Sequence, residues 1–121
     1  MPVLHIVSNL PKSKFTPDFV QKASKKAAEL TERPEGVIEV IIQADQIVSF
    51  AGSQEPAAYV FLGGIGCLGD ERRGSVGRQL NEFLVKELGL KPDRFYILFQ
   101  SIGPTDVSFT GKLFSEILAG K

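Results

Sequence analysis

The chain is poor in the residues that build metal and redox sites. Its 121 residues include one cysteine, Cys67, and one histidine, His5. A single cysteine excludes an intrachain disulfide and a thiolate-rich metal site. A single histidine inside a strand pattern, with no cluster of ligands, leaves a zinc site and a Ser-His-Asp triad without their parts. His5 therefore reads as a packed or surface residue and Cys67 as an inert turn thiol, since no second histidine exists to activate it. Net charge is also missing. Fourteen Lys and Arg balance fourteen Asp and Glu, which argues against nucleic acid and anionic membranes as partners, because both require a basic surface. No stretch approaches the roughly 18 apolar residues of a membrane span. The N-terminus has neither the basic nor the apolar region of a signal peptide. The expectation is a cytoplasmic protein, secreted, if at all, by an unconventional route.

At 43% hydrophobic and 23% charged residues, the composition is that of a globular domain, and the length fits one, residues 1–121. Pro2–Pro11 opens with a short apolar strand (Val3, Leu4, Ile6, Val7) ended by Ser8, Asn9 and Pro11. Thr16-Pro17-Asp18 predicts a helix start, with N-cap, proline at the first position and an acid in the first turn. Val20, Ala23, Ala27 and Leu30 predict its buried face, and Pro34 its end. Val37–Ile42 predicts a strand apolar enough to be covered on both faces, and Gln46–Phe50 a second short one. The pattern then recurs. Ala57–Leu62 is a strand, and Gly63–Gly69 is a glycine-rich turn. Asp70 is the expected N-cap of a helix buried through Val76, Leu80, Phe83, Leu84 and Leu88. Gly89-Leu90 is its stop, and Phe95–Gln100 is a last long strand. In the tail, Val107–Thr110 suggests a short strand, and Leu113, Phe114, Ile117 and Leu118 a short helix.

Pro34 and Pro92 each precede an apolar strand and stand 58 positions apart, as do Leu30 and Leu88. The fold predicted is α+β: two β-α-β pseudo-repeats forming one four-stranded sheet, with both helices on one face. The other face keeps apolar residues and needs a partner, for which a closed homo-oligomer is the usual source.

Three features bear on chemistry. Gly64-Ile65-Gly66-Cys67-Leu68-Gly69 fits the G-x-G-x-x-G pattern of a dinucleotide turn. It lies in the second of only two β-α-β units and lacks the expected acid at a strand end. The preferred reading is a tight turn presenting backbone N–H groups to a neighbour or a small ligand. Arg33 suits either a carboxylate ligand or the end of the preceding helix. Tyr96, alternating with apolar residues, reads by itself as core. Pro2 is the third feature. The small neighbouring residue permits removal of Met1, which would leave a secondary amine at the end of a core strand. Partial desolvation lowers such an amine's pKa toward the range where it serves as a base.

Taken together, Pro2, Asn9-Leu10-Pro11, Arg33-Pro34, Gly52-Ser53 with Glu55-Pro56, Ile65-Gly66, Pro92-Asp93-Arg94, Tyr96 and Val107-x-Phe109 resemble the macrophage migration inhibitory factor and D-dopachrome tautomerase family. The resemblance extends over nearly the whole chain, to about residue 110. It implies a homotrimer whose sheets wrap into a barrel, with active sites between subunits and no cofactor or metal. It implies that Pro2 is the base for an enolisable keto acid such as a phenylpyruvate, or for dopachrome. Arg33, where the family usually has lysine, would bind the substrate carboxylate. The Ile65 N–H would donate to it. Tyr96, from the neighbouring subunit, would hydrogen-bond the substrate, Leu98 would stand at a further substrate-contact position, and Val107 and Phe109 would form apolar walls. Leu98 replaces an asparagine, Gly64 a common serine, and Ala57 and Val60 a cysteine pair, so no thiol-oxidoreductase activity carries over. The resemblance also implies an alternative role: a secreted, cytokine-like ligand for a cell-surface receptor of the invariant-chain type, with the pocket vestigial.

Overall fold

In the computed structural model, which describes residues 1–120, the two β-α-β units form a single mixed sheet. The first unit is β1 (Pro2–Ser8), α1 (Pro17–Thr31) and β2 (Glu39–Gln43); the second is β3 (Ala58–Gly64), α2 (Asp70–Leu88) and β4 (Phe95–Ser101). The strand order is β2-β1-β3-β4. β1 and β2 are parallel, as are β3 and β4, and the units meet along the antiparallel β1–β3 ladder. The α+β architecture predicted from the repeat is the one observed.

Side chains alternate across the pleat. Leu4, Ile6, Val60 and Leu62 are sealed against both helices, meeting Ala23, Ala27, Leu30, Val76, Leu80, Leu84 and Leu88. The opposite face carries Ile41, Tyr59, Tyr96 and Leu98, all exposed. β2 is therefore not covered on both faces within one chain.

Helix α1 begins as predicted: Thr16 Oγ1 accepts from Phe19 N at 3.1 Å, with Pro17 at the first position. Its buried stripe starts at Phe19 and not at Val20, which is 38% exposed. Both residues lie within one turn of Ala23, so spacing could not choose between them. The larger ring wins because it reaches Phe15 and Phe83, with centroids at 5.5 and 5.9 Å. Helix α2 is capped by Gly69, not by Asp70, which lies in its first turn 3.8 Å from Arg73. Gly89, at φ 70°, stops it as expected, and Leu90 is buried beneath.

Gly63 and Gly64 extend β3 beyond the predicted Leu62, and two further strand predictions change. A 3-10 turn over Glu35–Val37, closed by Val37 N to Pro34 O at 3.1 Å, delays β2 to Glu39. Gln46–Phe50 forms no strand. Asp45 N and Gln46 N instead bond to Leu10 O and Ser8 O at the end of β1, at 2.9 and 3.0 Å. Beyond them, Phe50 pairs with Ser53 across a tight turn of Ala51 (φ 53°) and Gly52 (φ 76°).

In the tail, β5 (Ser108–Phe109) pairs with β6 (Lys112–Leu113) around Thr110 and Gly111, both at positive φ. The short helix α3 (Phe114–Leu118) follows. Leu113 thus ends a strand, where the sequence had it in the helix. No helix is long and apolar enough to cross a membrane among the described residues.

Candidate active site

Pro2 is the first residue of β1, buried, and opposite Gly64 in the antiparallel ladder. A strand start suits proline, which has no N–H to give the ladder. Beside it lies a cavity of about 410 Å³, within the range of small-molecule sites. β1 supplies Met1, Pro2 and Val3; the turn into β2 supplies Gly36, Val37, Ile38 and Glu39; the tail supplies Val107, Ser108, Phe109 and Phe114.

Behind Met1 the glycine-rich turn closes in. Ile65 N donates to Met1 O at 3.3 Å, and Arg33 Nη2 donates to Ile65 O at 3.2 Å. Arg33 reaches there because Glu32, at φ 55°, ends α1 in the left-handed region and turns the chain back over the turn. Its Nη1 also donates to the C-cap carbonyl Glu32 O at 3.4 Å and its backbone N–H to Ala28 O at 3.1 Å, so Arg33 closes the end of α1, as one of its two sequence readings expected, and among the described residues it pairs with no carboxylate. Arg72 ties the same corner together, donating to Leu30 O at 2.8 Å and to Cys67 O. Burial pushes the Met1 amine below the usual α-amino range. The Cys67 thiol acts in the opposite direction, and the Arg33 cation lowers it further.

The close packing at Gly64 has a cost that can be measured. A Cβ there would overlap the buried Cys67 Sγ and lie 3.3 Å from Met1 O. Gly64→Ala is expected to destabilise the fold by about 1–3 kcal/mol, read from denaturant midpoints, and the loss should be relieved in Gly64→Ala/Cys67→Ala. A non-additive recovery is the signature of one shared contact.

Pro2, Val107 and Phe109 therefore share one cavity, with Ile65 and Arg33 directly behind it. Tyr96 and Leu98 are not brought there by their own chain. The β4 residue level with Pro2 and Gly64 is Ser101. Tyr96, five residues earlier, lies about 16 Å back along a strand two positions away. Nor is Tyr96 core, as the alternation suggested: it is 71% exposed and packs only one face, on Phe50 at 5.0 Å. Phe114, Glu39 and the Gly36–Ile38 turn escaped the sequence reading. The signal for Glu39 was present, as the one charge inside an apolar strand. Phe114 gave none beyond helical spacing in the tail.

Among the described residues no group of His, Cys, Asp and Glu is arranged to hold a metal. A second groove, of about 380 Å³ between α1 and α2, is rimmed by Lys22, Lys26, Lys86, Glu82 and Glu87. Lys22 already pairs with Glu87 at 3.1 Å and Asp18 at 3.3 Å.

Comparison with known proteins identifies the family and the fold. The family model for macrophage migration inhibitory factor matches residues 1–115. A macrophage migration inhibitory factor homolog of Brugia malayi is 32% identical over 114 residues, covering 94% of this chain and 99% of that protein. The Xenopus tropicalis macrophage migration inhibitory factor is 28% identical over 115 residues, covering 95% of this chain and 100% of that protein. Among solved structures, the Trichinella spiralis factor superposes with a TM-score of 0.90 at 28% identity, covering 93% of this chain and 99% of its own. The homologue from Prochlorococcus marinus gives 0.86 at 28% identity, covering 93% and 98%. With matching strand order, near-complete coverage and a family match over almost its full length, the chain belongs to the macrophage migration inhibitory factor family.

Proposed function

We propose that the chain, once Met1 is removed, is a cofactor-free keto–enol tautomerase acting on arylpyruvate-like or dopachrome-like substrates. The observation that carries the reading is the position of Pro2. It opens a core strand at an apolar cavity, next to the Ile65 N–H and the Arg33 guanidinium. Removing Met1 makes the Pro2 nitrogen a secondary amine. The burial that lowers the Met1 amine acts on it too, favouring the uncharged base. The base takes a proton from the carbon beside the ketone. The electron pair moves into the new carbon–carbon double bond, the carbonyl π pair moves onto oxygen, and that oxygen takes the proton back from the Pro2 ammonium, directly or through water, giving the enol and the free base. Loss of Met1 also frees the Ile65 N–H, which together with Arg33 holds the substrate carboxylate. A forked guanidinium suits that group.

The same proposal makes the protein a homotrimer. Val107 and Phe109 wall the cavity from its own chain, while Tyr96 and Leu98 enter from a neighbouring copy. Two facts favour this: Tyr96 and Leu98 lie far from Pro2 in their own chain, and the sheet face bearing Ile41, Tyr59, Tyr96 and Leu98 is open. Native mass spectrometry of the Met1-free protein should give three chains, and phenylpyruvate should be tautomerised without added cofactor. A monomer would remove Tyr96 and Leu98 from the site. A trimer with a free Pro2 and no turnover of phenylpyruvate or dopachrome methyl ester would overturn the enzymatic reading.

A further inference from the structure

One ionisable side chain lines the cavity, and the proposed reaction leaves it unused. Glu39 begins β2 and is the ladder partner of Val3, so both point to the open face of the sheet. Most of the wall is apolar, with Val3, Val37, Ile38, Val107, Phe109 and Phe114, and Ser108 is the one other polar side chain. Among the described residues the Glu39 carboxylate has no ion-pair or hydrogen-bond partner. The strand order fixes where it stands relative to the cationic end. β2 flanks β1 on one side and β3 flanks it on the other. Arg33 holds the carbonyl of Ile65, just past the end of β3. Glu39 and Gly63 are level across β1, two strand spacings apart, and Ile65 lies two residues beyond Gly63, so the backbone positions of Glu39 and of the Arg33-held Ile65 stand on opposite sides of Pro2, roughly 12 Å apart. That span is comparable to the length of a para-substituted arylpyruvate.

We propose that Glu39 is a specificity residue: it selects aryl keto acids whose far end carries an ammonium or a hydrogen-bond donor, and rejects those with a second carboxylate there. This rests on the reading of the cavity as an aryl keto-acid site. The carboxylate of such a ligand lies at Arg33 and Ile65, its ring lies along the apolar walls past Pro2, and its para substituent meets Glu39. At that rim a partly solvated charge still discriminates, since unit charges about 4–5 Å apart interact appreciably even at high dielectric.

Binding tests this separately from catalysis. The Met1-free protein is titrated, with NMR detection, against three non-enolising probes: phenylacetate, 4-(aminomethyl)phenylacetate and 4-carboxyphenylacetate. The wild-type protein should bind the cationic probe roughly tenfold more tightly than the dianionic one. Glu39→Gln should compress that ratio towards one, and Glu39→Lys should invert it. Glu39 is exposed in the single chain, and unchanged amide spectra and native mass of the apo variants verify the fold and the assembly. Probes that bind with the same ratio in wild type and Glu39→Gln overturn the specificity role while leaving the aryl-acid site standing. Probes that fail to bind at all overturn both. Wild-type turnover of phenylpyruvate reports on the tautomerase reading independently of either result.

Discussion

Replacing Pro2 by glycine in the Met1-free protein is expected to lower kcat/KM for phenylpyruvate by roughly 10²–10⁴-fold, the range a positioned general base contributes. Glycine keeps a terminal amine, but loses the ring that fixes the backbone and fills the buried first position of β1. The fall should appear mainly in kcat, because Arg33 and Ile65 still hold the carboxylate. The pH profile gives a second readout. Burial depresses the pKa of the Met1 amine, and a Pro2 amine at the same buried corner is expected to be depressed in the same direction, so the uncharged base should persist below the usual α-amino range. Activity should fall only as the pH drops through that lowered pKa. The same sign applies to stability: a depressed amine pKa favours the fold above the unfolded-state pKa, and the contribution is lost as pH falls through the folded one. A chain that retains Met1 should be inactive for two reasons. Its Pro2 nitrogen is an amide, and its Met1 carbonyl occupies the Ile65 N–H. Full activity in Pro2→Gly, or in the Met1-retaining chain, would rule out this base.

The second large effect lies at the other end of the sheet. Arg94 is buried, 8% exposed, and among the described residues forms no ion pair. Its guanidinium donates to four backbone carbonyls: Phe50 at 2.8 Å, Glu55 at 2.8 Å, Ser53 at 3.2 Å and Pro56 at 3.2 Å. It also sits 5.4 Å from the centre of the Phe50 ring. The loop it holds makes no ladder with the sheet, so this one side chain does what strand pairing does elsewhere. Arg94→Ala is expected to destabilise the fold by about 2–4 kcal/mol, less than four full hydrogen bonds because water reaches the outer carbonyls. Arg94→Lys should recover only part, since an ammonium cannot reproduce the planar fork. The change should also reach Tyr96, whose ring rests on Phe50. In the proposed trimer, KM for phenylpyruvate should therefore rise along with the loss in denaturant midpoint. A variant as stable as wild type would show that the clamp contributes little.

The two helices and four strands were legible because they rest on local rules. Thr16-Pro17-Asp18 caps a helix whatever surrounds it, Gly89 ends one by adopting a conformation other residues resist, and the apolar period separates helix from strand. The choice of Phe19 over Val20 was not legible, since both fit the helical face and only contact with Phe15 and Phe83 decided it. Gln46–Phe50 failed for the reason that makes β-structure context-dependent. Its residues suit a strand, but the single chain offers no ladder for it.

The site divides along the same line. The sequence by itself determined the two-unit sheet, the helices on one side of it, and the presence of a proline, an arginine and a glycine-rich turn suited to acid–base chemistry. Those depend on neighbours a few residues apart. Tertiary structure alone decided that Pro2, Arg33 and Ile65 meet at one end of the sheet, that Glu39 and Phe114 join the cavity, and that Tyr96 and Leu98 are left far away. These placements follow from the order and register of strands distant in sequence, which no local pattern encodes.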